Sequence, residues 1–240
     1  MFHPEDQGPR LSRRRLLAWA GGLAVTALVP GCGRDQAGSD AAPTSTGTST
    51  TTGTRTMAAP DCILVPELTE GPYYLDLEQV RRDITEGRPG AQLELAVTVV
   101  VAEACEPIKD AAVDVWHCDA GGDYSGVEGN AGTFLRGIQM TDANGRAEFR
   151  TIYPGWYPGR AVHIHVKVHL GASETYTGQL FFDDAVTQAV YEAPPYNARP
   201  GPDVTNEADG IFGESDGATT LAVRAGDPYR GEVTLGVRGA

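Results

Sequence analysis

Beyond residue 92 the chain alternates short apolar runs with breaks rich in glycine, asparagine and aspartate. Residues 93–101, Leu-Glu-Leu-Ala-Val-Thr-Val-Val-Val, are β-branched and partly alternating, which predicts a strand. Residues 107–110 predict a turn and 112–117 a second strand. Residues 121–132 hold five glycines and predict a loop. The run Thr141-Asp142-Ala143-Asn144-Gly145-Arg146 is a strong turn signal through Asn-Gly. Strands follow at 147–152, 162–170 and 177–182. Residues 183–191 predict a short helix with Asp183 or Asp184 as its N-cap. Strands at 218–223 and 231–237 close the chain. Short strands at this spacing predict an all-β fold: a β-sandwich of mixed topology with short helices and long loops. Composition agrees: 41% hydrophobic residues can build a core, and 30 Gly and 16 Pro suit a turn-rich architecture.

The first 31 residues break this pattern. Ser12-Arg13-Arg14-Arg15-Leu16-Leu17 is a basic patch, and about fifteen small or apolar residues follow it. That is an export-signal pattern, too short to span a bilayer comfortably. The Ser-Arg-Arg-x-Leu-Leu order resembles the bacterial twin-arginine signal, with an ordinary secretory signal as the alternative. Val29-Pro30-Gly31-Cys32 resembles a lipoprotein cleavage box with Cys32 as the lipidated residue; a plain secreted protein is the alternative. Residues 41–56 are rich in Ser, Thr and Gly and cannot bury enough surface to offset the entropy of ordering them. The expected organisation is therefore an export signal at 1–31, a disordered linker at 32–58, and a β-sandwich domain at 59–240. The expected location lies across the bacterial cytoplasmic membrane, extracellular or lipid-anchored at the cell surface. Nineteen basic against 32 acidic residues give a net charge of −13. That disfavours a nucleic-acid partner and an anionic membrane face, leaving a lipid on Cys32 as the expected membrane contact. After Cys32, three cysteines remain, and in an oxidising compartment two should pair. Spacing does not choose among Cys62, Cys105 and Cys118, and Cys62–Cys105 is the favoured pairing.

Candidate chemistry concentrates on one predicted strand. His163 and His165 are two apart, so they share a face, while Val162, Ile164 and Val166 turn toward a core. Two imidazoles on one face are half of a metal site; two half-exposed surface histidines are the plainer alternative. Tyr157 sits just upstream in Tyr153-Pro154-Gly155-Trp156-Tyr157-Pro158-Gly159-Arg160, a tight loop able to hold it over the same face. Tyr124 is presented from the glycine-rich loop after residues 112–117. A free tyrosine ionises near pH 10, but a bound cation can hold the phenolate. Hard phenolate oxygens favour a hard trivalent ion, so two Tyr and two His would select Fe(III). A zinc or copper site of His163, His165 and His169 leaves both tyrosines idle and needs His169, far along the strand. A non-enzymatic β-sandwich binding module at the cell surface explains the Asp-x-x-Gly turn and the Pro-Gly-x-Tyr corner, but not the tyrosine–histidine set.

The motifs taken together say more. Thr69-Glu70-Gly71-Pro72-Tyr73-Tyr74, then Trp116-His117-Cys118-Asp119-Ala120 running to Tyr124-Ser125, then Pro154-Gly155-Trp156-Tyr157, then Arg160 with His163-Ile164-His165, stand in an order that resembles the intradiol ring-cleavage dioxygenases. The likeness is to their short exported members, related to protocatechuate 3,4-dioxygenase, and covers residues 60–185. It implies non-haem Fe(III) held by Tyr124, Tyr157, His163 and His165. It further implies that Tyr157 and His165 are axial, with Tyr124, His163 and a hydroxide in the equatorial plane. Arg160 would lie beside the substrate, Gln179 would contact it, and Pro72 and Tyr73 would line the pocket wall. Tyr157 would leave the metal and take a substrate proton. The implied reaction takes a catechol-type diol and O2 and cleaves the ring between the two hydroxylated carbons, giving a muconate-type diacid. The chain departs from the family in two places. Ala161-Val162 stands where the family has Pro-Ala, and the linker stands where one branch carries a helical dimerisation domain, so that mode of dimerisation is not expected.

Overall fold

A computed structural model describes residues 62–239. The expected export signal at 1–31, Cys32 and the expected linker at 32–58 lie outside the described residues. Two four-stranded sheets pack face to face. The first has the order β4-β1-β8-β7, from β1 (Gln92–Val101), β4 (Arg146–Ile152), β7 (Ala222–Arg224) and β8 (Tyr229–Val237). The second has the order β3-β2-β5-β6, from β2 (Ala112–Trp116), β3 (Arg136–Met140), β5 (His163–Leu170) and β6 (Ser173–Phe181). β1 and β8 run parallel and every other pair is antiparallel, so the topology is mixed. Two short helices follow β6: α1 (Asp184–Tyr191), capped by Asp183, and α2 (Gly210–Ser215), capped by Asp209.

Alternation in the strands builds the core. Leu93, Leu95, Val97 and Val99 of β1 meet Val113, Val115, Ile164, Val166 and Val168 of the opposite sheet, with Phe149 and Leu235 beside them. Each such side chain contributes roughly 1.5–3 kcal/mol by leaving water. β5 is unusual because its outward face, His163, His165, Lys167 and His169, is buried as well. Residues 65–74 cross that face. Leu68 N–H donates to Thr177 O at 2.9 Å, Gln179 Nε2 donates to Thr69 O at 3.0 Å, and Lys167 pairs with Glu70. Arg136 Nη1 donates to Tyr73 O at 2.7 Å, and Tyr74 Oη donates to Asp114 Oδ2 at 3.1 Å. The polar sheet face is thus closed over by the strap.

Two elements differ from the sequence-based expectation. β3 is an edge strand of Arg-Gly-Ile-Gln-Met, with a single β-branched residue and a glycine. Packing against β2 rather than intrinsic preference makes it a strand. Residues 218–223 do not form a full strand; only Ala222–Arg224 pairs with β8. Phe181 N–H donates to Thr219 O at 3.1 Å and Leu221 N–H to Phe181 O at 2.8 Å, so this stretch finishes β6 instead. Cys62 and Cys105 form a disulfide, and Cys118 is free and buried.

His117 ties the two sheets together just before the Tyr124 loop. Its Nδ1–H donates to Cys118 O at 2.7 Å, and its Nε2 accepts from the Thr151 hydroxyl of β4 at 2.7 Å. Burial pushes its pKa from 6.5 down to about 4, so the folded state carries it neutral. The unfolded chain binds this proton more tightly. Its contribution is therefore complete above pH 6.5 and is lost as pH falls through the window down to about 4. The total is on the order of 3 kcal/mol. We expect His117→Gln to remove about one proton from the pH slope of unfolding stability across that window. Denaturant titrations giving parallel slopes for variant and wild type would contradict this.

Candidate metal centre

The outward face of β5 carries His163 and His165, as a period of two requires. His165 lies opposite Trp116 of β2 and Gln179 of β6. The Trp116 indole stacks on its ring, centroids 4.9 Å apart and planes 7° from parallel. On the strap, Gly71 meets the His165 ring: a Cβ there would come within 3.1 Å of Cε1. Indole and strap together hold the plane of the His165 ring. His163 is oriented by its own backbone, because its Nδ1–H donates to Ala161 O at 2.7 Å. That bond places the bare lone pair on Nε2.

Two loops deliver the tyrosines. Asp119 turns the chain after β2, accepting at Oδ1 from Gly121 N–H at 2.8 Å and Asp123 N–H at 3.1 Å. The same turn is bound to the Pro-Gly corner before Tyr157, where Gly155 N–H donates to Asp119 O at 3.0 Å and Cys118 Sγ to Gly155 O at 3.3 Å. A Cβ on Gly155 would strike Asp119 O and would lie 2.6 Å from Ala120 O. The glycine is what lets the two tyrosine-bearing loops touch.

Four donor atoms consequently meet. Tyr157 Oη is 3.0 Å from His163 Nε2, His163 Nε2 is 3.2 Å from His165 Nε2, and His165 Nε2 is 3.1 Å from Tyr124 Oη. Tyr124, His163 and His165 are only 3%, 2% and 2% exposed. Tyr157 is half-buried, so the cluster opens on its side. Burial pushes the His163 pKa down to about 3, helped by the nearby Arg160 charge, and holds His165 well below its ordinary value. Burial pushes Tyr157 up to about 12 and Tyr124 well above the usual phenol range. Without a cation these are four neutral groups, and each phenol can donate its O–H to the imidazole Nε2 beside it.

A cation among them would take the place of those protons and draw on all four atoms. Neighbouring donors about 3 Å apart are close enough to be ligands of one ion. Among the described residues, His165 Nδ1 finds no hydrogen-bond partner, so protein contacts do not commit its Nε2 to carrying the proton. Among the described residues, too, no three His, Cys, Asp or Glu side chains group into a metal site. A set of His163, His165 and His169 is therefore not formed, and any metal here draws on the phenols. The residues present fit a hard, highly charged ion of the Fe(III) kind.

The remaining sequence-predicted residues surround this cluster. Arg160 donates through Nε to Asp209 Oδ2 at 2.9 Å and through Nη2 to Gln179 Oε1 at 2.5 Å. The Tyr73 ring lies 4.8 Å from the Tyr124 ring, and its hydroxyl donates to Glu128 at 2.7 Å. Pro72 is exposed, between Gly71 and Tyr73. Sequence reasoning assigned no role to Trp116, Gly71 or Asp209. The Asp-Gly-Ile-Phe run at 209–212 has the form of a helix cap, but nothing local marks its reach to residue 160.

The family model described as Dioxygenase matches residues 69–193, just over half of the chain. The chain belongs to the intradiol dioxygenase family. It is similar to a solved intradiol ring-cleavage dioxygenase from Tetranychus urticae, with 34% identity and a TM-score of 0.71 over 74% of this chain and 95% of that one. It is 27% identical over 135 residues to the chlorocatechol 1,2-dioxygenase of Pseudomonas putida, covering 48% of this chain and 52% of that protein. It is 29% identical over 137 residues to the protocatechuate 3,4-dioxygenase beta chain of Burkholderia cepacia, covering 50% of this chain and 54% of that protein. The chain thus spans about half the length of the curated relatives it matches. The four clustered donors, Arg160 and Gln179 fall inside the family match, and Asp209 falls outside it.

Because Gly155 sets the approach of the two loops, Gly155→Ala should cost about 1–3 kcal/mol of stability through overpacking. Thermal unfolding tests this, and an unchanged Tm would contradict the close contact.

Proposed function

We propose that this member of the family is an exported, non-haem Fe(III) intradiol dioxygenase. It would cleave the ring of a catechol-type diol between its two hydroxylated carbons, placing both atoms of O2 in a muconate-type diacid. The observation that carries the reading is the meeting of two phenol oxygens and two imidazole nitrogens within 3.2 Å on one buried sheet face. Tyr124, Tyr157, His163 and His165 would hold the metal. When bound, Fe(III) supplies the positive charge that lets both diol hydroxyls ionise near neutral pH and activates the ring toward O2.

The chain's own residues do the rest. Hydrogen bonding of His163 Nδ1–H to Ala161 O keeps Nε2 a lone-pair donor at every turnover. Trp116 and Gly71 hold the His165 ring plane. Tyr157 lies on the open side, where a diol arrives, and burial favours its protonated form. Its Oη is therefore the natural resting place for one hydroxyl proton of the diol. The Arg160 guanidinium faces negative charge developing on the substrate oxygens. Gln179 carries the Arg160 Nη2 bond on Oε1 and anchors the strap through Nε2, so it sets the distance between the two. The strap and the Trp116, Tyr73 and Tyr124 rings exclude water from the closed side.

Export rests on the basic-then-apolar pattern of residues 1–31, and the Cys62–Cys105 disulfide suits an oxidising compartment. A lipid on Cys32, with residues 33–58 as a tether, would keep the domain at the cell surface.

The test is oxygen uptake with catechol, coupled to identification of a ring-opened diacid. Arg160→Ala should lower kcat by about 10²–10³ while metal remains bound. Undiminished turnover in that variant would remove Arg160 from the mechanism, and no diacid from the wild type would remove the enzyme reading.

A further inference from the structure

Asp209 lies beyond the residues that the family model matches, yet it reaches the Arg160 side chain. Its carboxylate is 3% exposed and takes four donors. Oδ1 accepts from Ile211 N–H at 2.8 Å and Phe212 N–H at 3.3 Å, which caps α2. Capping needs only that oxygen. Oδ2 is turned the other way and accepts from Arg160 Nε at 2.9 Å and Ala161 N–H at 2.8 Å. Burial pushes the Asp209 carboxyl up, but these N–H groups and the guanidinium outweigh it and hold it below the usual carboxylate range.

We propose that Asp209 is the positioning residue for Arg160, clamping its guanidinium for work on the substrate. The inference rests on the dioxygenase reading above. The guanidinium is a planar fork, so two fixed N–H groups define its plane. Asp209 takes Nε and Gln179 takes Nη2. Among the described residues Nη1 has no protein partner, which leaves it for the substrate. The clamp is itself anchored. α2 packs through Phe212 on Phe181, rings 5.1 Å apart, and Phe181 is the register partner of His163. The shared oxygen also binds the Arg160 carboxylate partner to the Ala161 backbone, so side chain and main chain are fixed by one group. A carboxylate serves both the cap and the clamp. An amide has a single acceptor oxygen for four donors and cannot serve both.

Three comparisons on the metal-loaded protein test the assignment. Asp209→Asn should retain its metal and lower kcat on catechol by about ten- to a hundredfold. Its anaerobic catechol affinity, read from the visible band, should move by less than about threefold, because the clamp acts on charge that develops during reaction. In an Arg160→Ala background the same substitution should add almost nothing, since residues acting as a unit are not additive. Val233→Ala, in β8 of the other sheet and away from α2, destabilises the core without reaching the clamp, and should lower Tm and leave kcat nearly unchanged. If Asp209→Asn does not fold, Asp209→Glu carries the same comparison, keeping the charge and displacing it by one methylene. Wild-type kcat in the Asp209 variant would overturn the assignment. So would a full multiplicative loss in the Arg160→Ala background, or an equal loss of kcat in Val233→Ala. A wild type that turns over no catechol would remove the dioxygenase reading, and this assignment with it.

Discussion

Four polar atoms are buried together where burial alone would never bring them. Tyr124, Tyr157, His163 and His165 exchange hydrogen bonds to water for a few to one another, which by itself gives little reason to bury them together. Their meeting is imposed by the surrounding framework, and much of the second sheet's outward side serves that end. The strap at 65–74 closes the face, Arg136 holds the strap at Tyr73 O, and Lys167 holds it at Glu70. The indole of Trp116 and the missing side chain of Gly71 fix one imidazole; the Ala161 carbonyl fixes the other. Two phenol oxygens and two imidazole nitrogens held this closely by their supports are what a preorganised site for a hard cation looks like.

The second constraint is the contact between the two tyrosine loops. Asp119 and Gly155 are 36 residues apart in sequence and meet through a backbone hydrogen bond. One loop follows β2 and the other leads into β5, adjacent strands of one sheet. The loops therefore project from the same end of that sheet, and the scaffold needs only a glycine to let them touch. His117 reinforces this end by joining β2 to β4 across the sandwich. The C-terminal segment then adds α2 and Asp209 from the other side, so the Arg160–Gln179 pair is held from two directions.

What could be read in the sequence follows from the range of each interaction. The His163–His165 pair was legible because strand periodicity is local and strict. The core strands β1, β2, β4, β5 and β8 were legible for the same reason. β3 was not, because Arg136, Gly137 and Gln139 lack strand preference and become a strand by pairing with β2. The convergence of Tyr124 and Tyr157 on the histidines could be anticipated from their loops, but only the ordered set of motifs shared with the family gave it force. Asp209 was invisible because its role depends on a contact spanning 49 residues. Trp116 was quoted for its place in a motif, while its stacking on His165 is set by cross-strand register.

The most direct test of the account is a visible absorption spectrum of the purified protein, with iron counted on the same sample, before and after anaerobic addition of catechol. The account predicts iron in a one-to-one ratio with the chain and a broad tyrosinate-to-Fe(III) band that moves to longer wavelength with catechol. Both iron and band should be lost in Tyr124→Phe or His163→Ala. A colourless protein that takes up no iron would contradict it.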